Sequence, residues 1–344
     1  MGRTHAVFLC AFVAFLCVSA PAFAQVGPPP SDGPVPVDVG VYLLDVSEIS
    51  EIESTFNMEG YMALRWRDVR LAFSPAPGEP VSRVYTGPHA MRRLGEIWWP
   101  DLISVNGIGS GDFQRVRLVI ERDGTVDYTA SVSARMKDDF DFRAFPFDRQ
   151  RLGVVMQSYG WDASQVVLRV DAARTGVSPD LKLAEWNVGA LDTSIGSATD
   201  SRDARSYSRF AFELALERRS VFYLWKVILP LLLLVALSWS VFWMSEESLA
   251  RRTGVTLTTL LTVVAYQFIV SEALPRLAYL THLDVLMLLS FTSIAATAVV
   301  NWAVTPTVRD AAPSPLDRTC RWLFPFGYAA GLVATFGLRS GSVT

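Results

Sequence analysis

Cysteine and histidine are scarce in this chain, with three of each in 344 residues. Cys10 and Cys17 fall in an apolar N-terminal segment, so a mature chain keeps only Cys320. That excludes an internal disulfide framework and a cysteine-based metal site. Beyond the same segment only His89 and His282 remain, and no G-x-S-x-G, H-E-x-x-H or phosphate-binding loop occurs. Asp138, Asp139 and Asp141 read as an exposed loop run rather than a paired catalytic site. The expectation is a protein that is not an enzyme and holds no metal or cofactor. Charge is sparse as well: 19 % of residues are charged and the net charge is −3, which argues against a nucleic-acid partner.

What is abundant is apolar residues, 51 % of the chain. Residues 1–24 read as a secretory signal peptide, with Arg3 ahead of an apolar run and Ala22-Phe23-Ala24 as cleavage site; a retained anchor is the alternative. Residues 25–36 are a flexible Pro/Gly-rich leader, expected not to pack. From residue 37 to 219 the signals are those of strands. Phe56, Met58, Met62, Leu64 and Trp66 alternate with small or polar residues. Val116, Leu118 and Ile120 do the same, then Asp123-Gly124 marks a hairpin, then Val126, Tyr128 and Ala130 follow. Phe210, Phe212, Leu214 and Leu216 close the series. The pattern predicts an exported, all-β, immunoglobulin-like sandwich that stands on its own core.

Residues 220–340 change character and predict a four-helix transmembrane bundle, with spans at about 221–244, 253–271, 285–304 and 322–338. The first contains Pro230 and the fourth Pro325. A cleaved signal puts the β domain and the C-terminus outside. The inner loops, 245–252 and 305–318, then carry Arg251, Arg252, Arg309 and Arg318 beside Glu246, Glu247, Asp310 and Asp317, a mild positive-inside bias.

The second span (TGVTLTTLLTVVAYQFIVS) has no charge yet holds five threonines and a glutamine. At 100° per residue Gly254, Thr258, Leu261, Ala265, Phe268 and Glu272 share one face. A lone span facing lipid has no use for that face; a helix lining a pore does. The plain alternative is threonines bonding back to their own helix or gluing neighbouring spans.

Further motifs carry a resemblance. Phe140 to Gln150 (FDFRAFPFDRQ) resembles the signature loop of the pentameric ligand-gated ion channels, the Cys-loop receptor superfamily, with Phe145-Pro146-Phe147-Asp148 as its core. The two cysteines that name the family would fall at Asp138 and Leu152, so the disulfide is absent, as in bacterial members. Trp98-Trp99-Pro100-Asp101 resembles the family's W-x-P-D stretch, and Pro230 its first-span proline. Leu261 to Tyr266 (LTVVAY), Leu274 to Leu277 (LPRL), Cys320-Arg321 and Phe324-Pro325 look like the amine-gated bacterial branch.

The resemblance implies a ring of five copies in a bacterial inner membrane, with a small agonist binding between periplasmic domains and monovalent ions passing along the second span. Membrane lipid is the remaining partner. It places agonist contacts at Tyr159, Trp161 and Tyr207, with Tyr61 and Arg117 on the opposing face. An aromatic box of this kind suits cations, yet Gln157 stands where amine-gated relatives have an acid. For coupling it points to Phe147, Asp148 and Arg218, which can pair with Asp148, and to Pro275 between the second and third spans. Rings of Leu261 and Phe268 would constrict the pore, and a Glu272 ring would gather cations at its outer mouth. Arg251 continues the pore face about 60° from Gly254. The expectation is a cation-selective pore, with Glu247 neutralising Arg251 through an i,i+4 pair; if Arg251 points free into the lumen, anions pass instead. A proton-gated channel of the same fold stays open, as does a non-conducting, membrane-anchored periplasmic sensor.

Overall fold

The computed structural model describes residues 27–200, 204–244, 249–271, 277–304 and 315–340. The first part is a β-sandwich. Its larger sheet joins β1 (Val35–Ser50), β2 (Thr55–Arg67), β3 (Ser82–Thr86), β5 (Gly107–Glu121), β6 (Thr125–Lys137) and β8 (Val166–Val170) in the order β3-β5-β6-β2-β1-β8, with the short β9 (Gly176–Val177) on β1. The smaller sheet is β10-β11-β7-β4, from β4 (Leu102–Ser104), β7 (Arg149–Ser158), β10 (Trp186–Thr199) and β11 (Ser206–Arg218).

The period-two residues are the core. Phe56, Met58, Met62, Leu64 and Trp66 on β2 meet Leu118, Ile120, Val126 and Tyr128 from one sheet and Phe210, Phe212, Leu214 and Leu216 from the other, all buried. The β5–β6 hairpin turns at Gly124, whose φ of +84° an L side chain would resist. Two features add to the expected all-β sandwich. β1 pairs β8 in parallel, Val35 with Val166 through Val39 with Val170. A short helix, α1 (Gly87–Leu94), buries Ala90 and Leu94, one turn apart. The leader is a correction. Pro29 is buried, Arg70 donates to the Gly27 carbonyl at 3.0 Å, and Val35-Pro36 already belong to β1. Proline-rich chain keeps its carbonyls free as acceptors, so a neighbouring arginine can pin it.

The second part is helical. The first span runs through α2 (Val221–Tyr223), a π turn (Leu224–Ile228), α3 (Leu229–Trp239) and a 3₁₀ turn (Ser240–Trp243). Then follow α4 (Leu249–Ser271), α5 (His282–Val304) and α6 (Pro315–Ser340). The first three spans are long and apolar enough to cross a membrane. Leu231, Val235, Val263, Leu286, Ile294 and Tyr328 form the bundle core. Arg252 and Asp317, counted above as loop charges, lie inside α4 and α6 and form a buried pair, with both guanidinium ends on the carboxylate at 2.9 and 3.1 Å.

Candidate functional site

The face of α4 expected to line a pore is exposed in the single chain. Gly254, Thr258 and Ala265 are uncovered, and Leu261 and Phe268 are 72 % and 70 % exposed. The opposite face carries Arg252, Thr256, Thr259, Val263 and Val270, all buried against the bundle. The threonines divide. Thr256, Thr259 and Thr262 donate to carbonyls of their own helix, as the plain alternative expected. Thr258, on the exposed face, makes no such bond. Arg251 is exposed on the same side. Glu247, Glu272 and Pro275 lie outside the described residues.

At the domain junction the C-terminal end of β11 delivers Arg218, whose side chain is fully buried. Its Nε and Nη2 donate to the two carboxylate oxygens of Asp148 at 2.7 and 3.1 Å, and its Nη1 donates to Glu51 at 2.7 Å. The guanidinium also lies over Trp186 at 4.1 Å and Phe145 at 4.9 Å. Burial works against the charged Arg218, but the bonds and charges of Asp148 and Glu51 outweigh it and hold the guanidinium more strongly protonated than usual. Burial raises the Glu51 carboxyl above its ordinary range, and Arg218 only partly offsets this. Glu51 sits in the β1–β2 turn as one acid among several, so nothing local in the sequence singles it out.

The signature loop grips the helices through Phe142 and Phe145, both buried in the bundle core, with Phe145 4.8 Å from Tyr223. The Phe142 N–H donates to the Tyr279 hydroxyl, and the His282 N–H to the Arg143 carbonyl. Phe147, in the same loop, is partly exposed in the single chain. The base of the loop is closed without sulfur: the Asp138 carboxylate accepts the Gly153 N–H at 2.6 Å. Burial raises the Asp138 carboxyl, the backbone bonds notwithstanding.

The aromatic positions fall into two groups. The loop of Tyr159 and Trp161 is pinned to the Trp98–Asp101 stretch, because Ser158 donates to the Pro100 carbonyl and the Tyr159 N–H to the Asp101 carbonyl. Tyr159 is 59 % exposed, whereas Trp161 packs on Trp98. The Ala163 N–H reaches the Ser206 carbonyl, which brings this loop to the start of β11 beside Tyr207. Tyr207 is only 6 % exposed. Two residues along the same face, Arg209 stands opposite Gln157 and donates to it at 2.8 Å. On the larger sheet, Arg117 is exposed on β5, and Tyr61 lines a cavity of about 380 Å³ with Trp99, Asp101 and Phe113.

The model of the neurotransmitter-gated ion-channel ligand binding domain matches residues 24–220, and that of the neurotransmitter-gated ion-channel transmembrane region matches residues 227–314. A proton-gated ion channel of Gloeobacter violaceus is 30 % identical over 274 residues, 78 % of this chain and 74 % of its own. The human gamma-aminobutyric acid receptor subunits rho-3 and rho-2 are 27 % and 28 % identical, over 79 % and 86 % of this chain. The chain spans 59 % and 63 % of those two subunits. Likeness to the amine-gated bacterial branch rests on the motifs alone.

Proposed function

The chain belongs to the neurotransmitter-gated ion-channel family, and on that premise we propose a homopentameric channel of a bacterial inner membrane whose sandwich binds a small agonist in the periplasm. The observation that carries this reading is the division of α4. Its polar-and-apolar period from Gly254 to Phe268 is uncovered while the other face is fully engaged by the bundle. Five such faces around an axis make a pore. Leu261 and Phe268 supply rings that stop ions by dewetting, and the Thr258 hydroxyls can replace ion hydration. Agonist binds between Tyr159, Trp161 and Tyr207 of one copy and Tyr61 and Arg117 of the next. Phe147, Asp148, Arg218 and Pro275 transmit its arrival to the helices, with Phe142 and Phe145 anchoring the signature loop in the bundle core.

Cations pass if Glu247 neutralises Arg251 and the Glu272 ring dominates the outer mouth. Recordings from purified protein in bilayers, with native mass spectra, test the channel. Pentamers with evoked current are expected; monomers or dimers without current contradict it. Reversal potentials in asymmetric sodium chloride decide selectivity, and Glu247→Gln is expected to shift them toward chloride.

A second reading makes the proton itself the agonist. Glu51 favours it, as does the name of the Gloeobacter relative. A buried carboxyl raised above its ordinary range takes up a proton at milder acidity than an exposed one. Protonation would remove one of the two carboxylates hydrogen-bonded to Arg218. The linkage has a definite sign: the stabilisation from protonated Glu51 is present at low pH and is lost as pH rises through the raised pKa. Acid-evoked current that survives unchanged in Glu51→Gln would discard this sensor.

A further inference from the structure

We propose that Tyr266 is a positioning residue of the pore helix: its phenol O–H supplies the donor that Pro230 lacks and latches α4 to the π turn of the first span. Pro230 has no N–H, so the carbonyl four residues back, Lys226, has no α-helical donor. The chain meets this defect with a change of register. The Leu229 N–H reaches five residues back to the Leu224 carbonyl, the bond of a π turn rather than of an α-helix. Next to this turn the Tyr266 hydroxyl, carried by the neighbouring helix α4, lies 2.8 Å from the Lys226 carbonyl and 3.0 Å from that of Val227. A phenol has one proton to donate, and both acceptors are main-chain carbonyls. The bond is therefore a three-centre one onto the stretch that the proline disturbed.

Its placement gives the latch a consequence. Lys226 follows the junction residue Arg218 by eight positions in the sequence. Tyr266 is the immediate neighbour of Ala265 and lies between the Leu261 and Phe268 positions of the exposed face. Its ring packs among the bundle residues, with Tyr223 and Val227 in the same cluster. Within a hydrocarbon layer no water is at hand to replace a lost donor. α4 therefore cannot turn or slide past the first span without stranding a carbonyl. Movement of the Arg218 cluster reaches the pore helix through main chain and one hydrogen bond. The gating part of this proposal rests on the channel reading above; the latch itself does not.

Tyr266→Phe removes the donor and keeps the ring, while Pro230→Ala returns an N–H to residue 230. Amide hydrogen exchange of the full-length protein in micelles would be followed over 221–232 for the parent, both single variants and the double. Tyr266→Phe is expected to speed exchange there about fivefold, the scale of one neutral hydrogen bond, and to leave α5 unchanged. In the Pro230→Ala background the same substitution is expected to change exchange by less than about twofold, because the helix then provides its own donor. Equal effects in both backgrounds, or none in either, would overturn the latch. Should Tyr266→Phe fail to assemble, assembly of the double variant supports the latch and its failure overturns it. Ion flux from liposomes under stepwise acidification would be read beside exchange. If the parent passes no ions on acidification the proton reading fails, while exchange still decides the latch; a parent that conducts is expected to open differently in Tyr266→Phe and normally in the double.

Discussion

The sandwich and the helical bundle solve the problem of burial in different ways. In the sandwich, alternate residues of both sheets meet inside one chain, and Leu64, Leu118, Val126, Phe210 and Leu214 are completely covered. In the bundle, only 17 %, 22 % and 33 % of the most apolar stretches of the first three spans are buried. Lipid can cover apolar surface, but it has no use for an uncovered Thr258 or Arg251. A single chain thus covers the core of its outer domain, whereas its membrane domain leaves Thr258 and Arg251 uncovered. Buried charge shows the same contrast. Arg218 is held by three acids and three aromatic rings from separate elements, whereas Arg252 has Asp317 and an Nε without a partner among the described residues.

The largest break in that contrast comes from Arg218→Ala. It strands Asp148 in the interior, a loss of about 3–5 kcal/mol, and thermal unfolding of the purified protein should show a large drop or no recoverable assembly. Arg252→Ala breaks the buried pair with Asp317 between two helices and is expected to cost about 3 kcal/mol. Replacing both members of that pair, as Arg252→Met with Asp317→Leu, should recover most of the loss, because a well-packed apolar pair does not need the charge. No such recovery is expected at Arg218, whose partners come from β1–β2, the signature loop and the helices together. Within the sandwich, Gly124→Ala forces φ +84° on an alanine whose Cβ would fall 2.3 Å from the Asp68 carbonyl oxygen. The expected cost is about 1–3 kcal/mol, measured by chemical denaturation. Smallest is Arg149→Ala on the exposed β7–β11 surface, where the pair with Glu217 is open to water; melting should shift by no more than about 0.5 kcal/mol.

Where one chain satisfies its own pattern, the sequence is legible. Strands β2, β5, β6 and β11 follow from period two because each has one dry side, and Asp123-Gly124 turns where expected. The α4 face is legible for the same reason, its two sides having different neighbours. What escaped depends on contacts between distant segments. Glu51 and Arg218 are 167 positions apart and meet only through the sandwich topology. Arg252 and Asp317 look like loop charges until α4 and α6 extend past the apolar stretches and bring them together. Phe142 and Phe145 are buried by a domain that follows them in the chain, so no local period marks them. Helix α1 is too short, at eight residues, to establish a period of its own.

Cysteine accessibility along α4 tests the central claim most directly. In a Cys320→Ser background, single cysteines at 254, 258, 261, 265 and 268 would be compared with cysteines at 256, 259 and 263 under a charged, membrane-impermeant thiol reagent. The account predicts that reagent reaches the first set from the aqueous phase and alters ion current, while the second set stays unmodified behind the bundle. Modification of 256, 259 and 263 with silence at 258, 261 and 265 would contradict it.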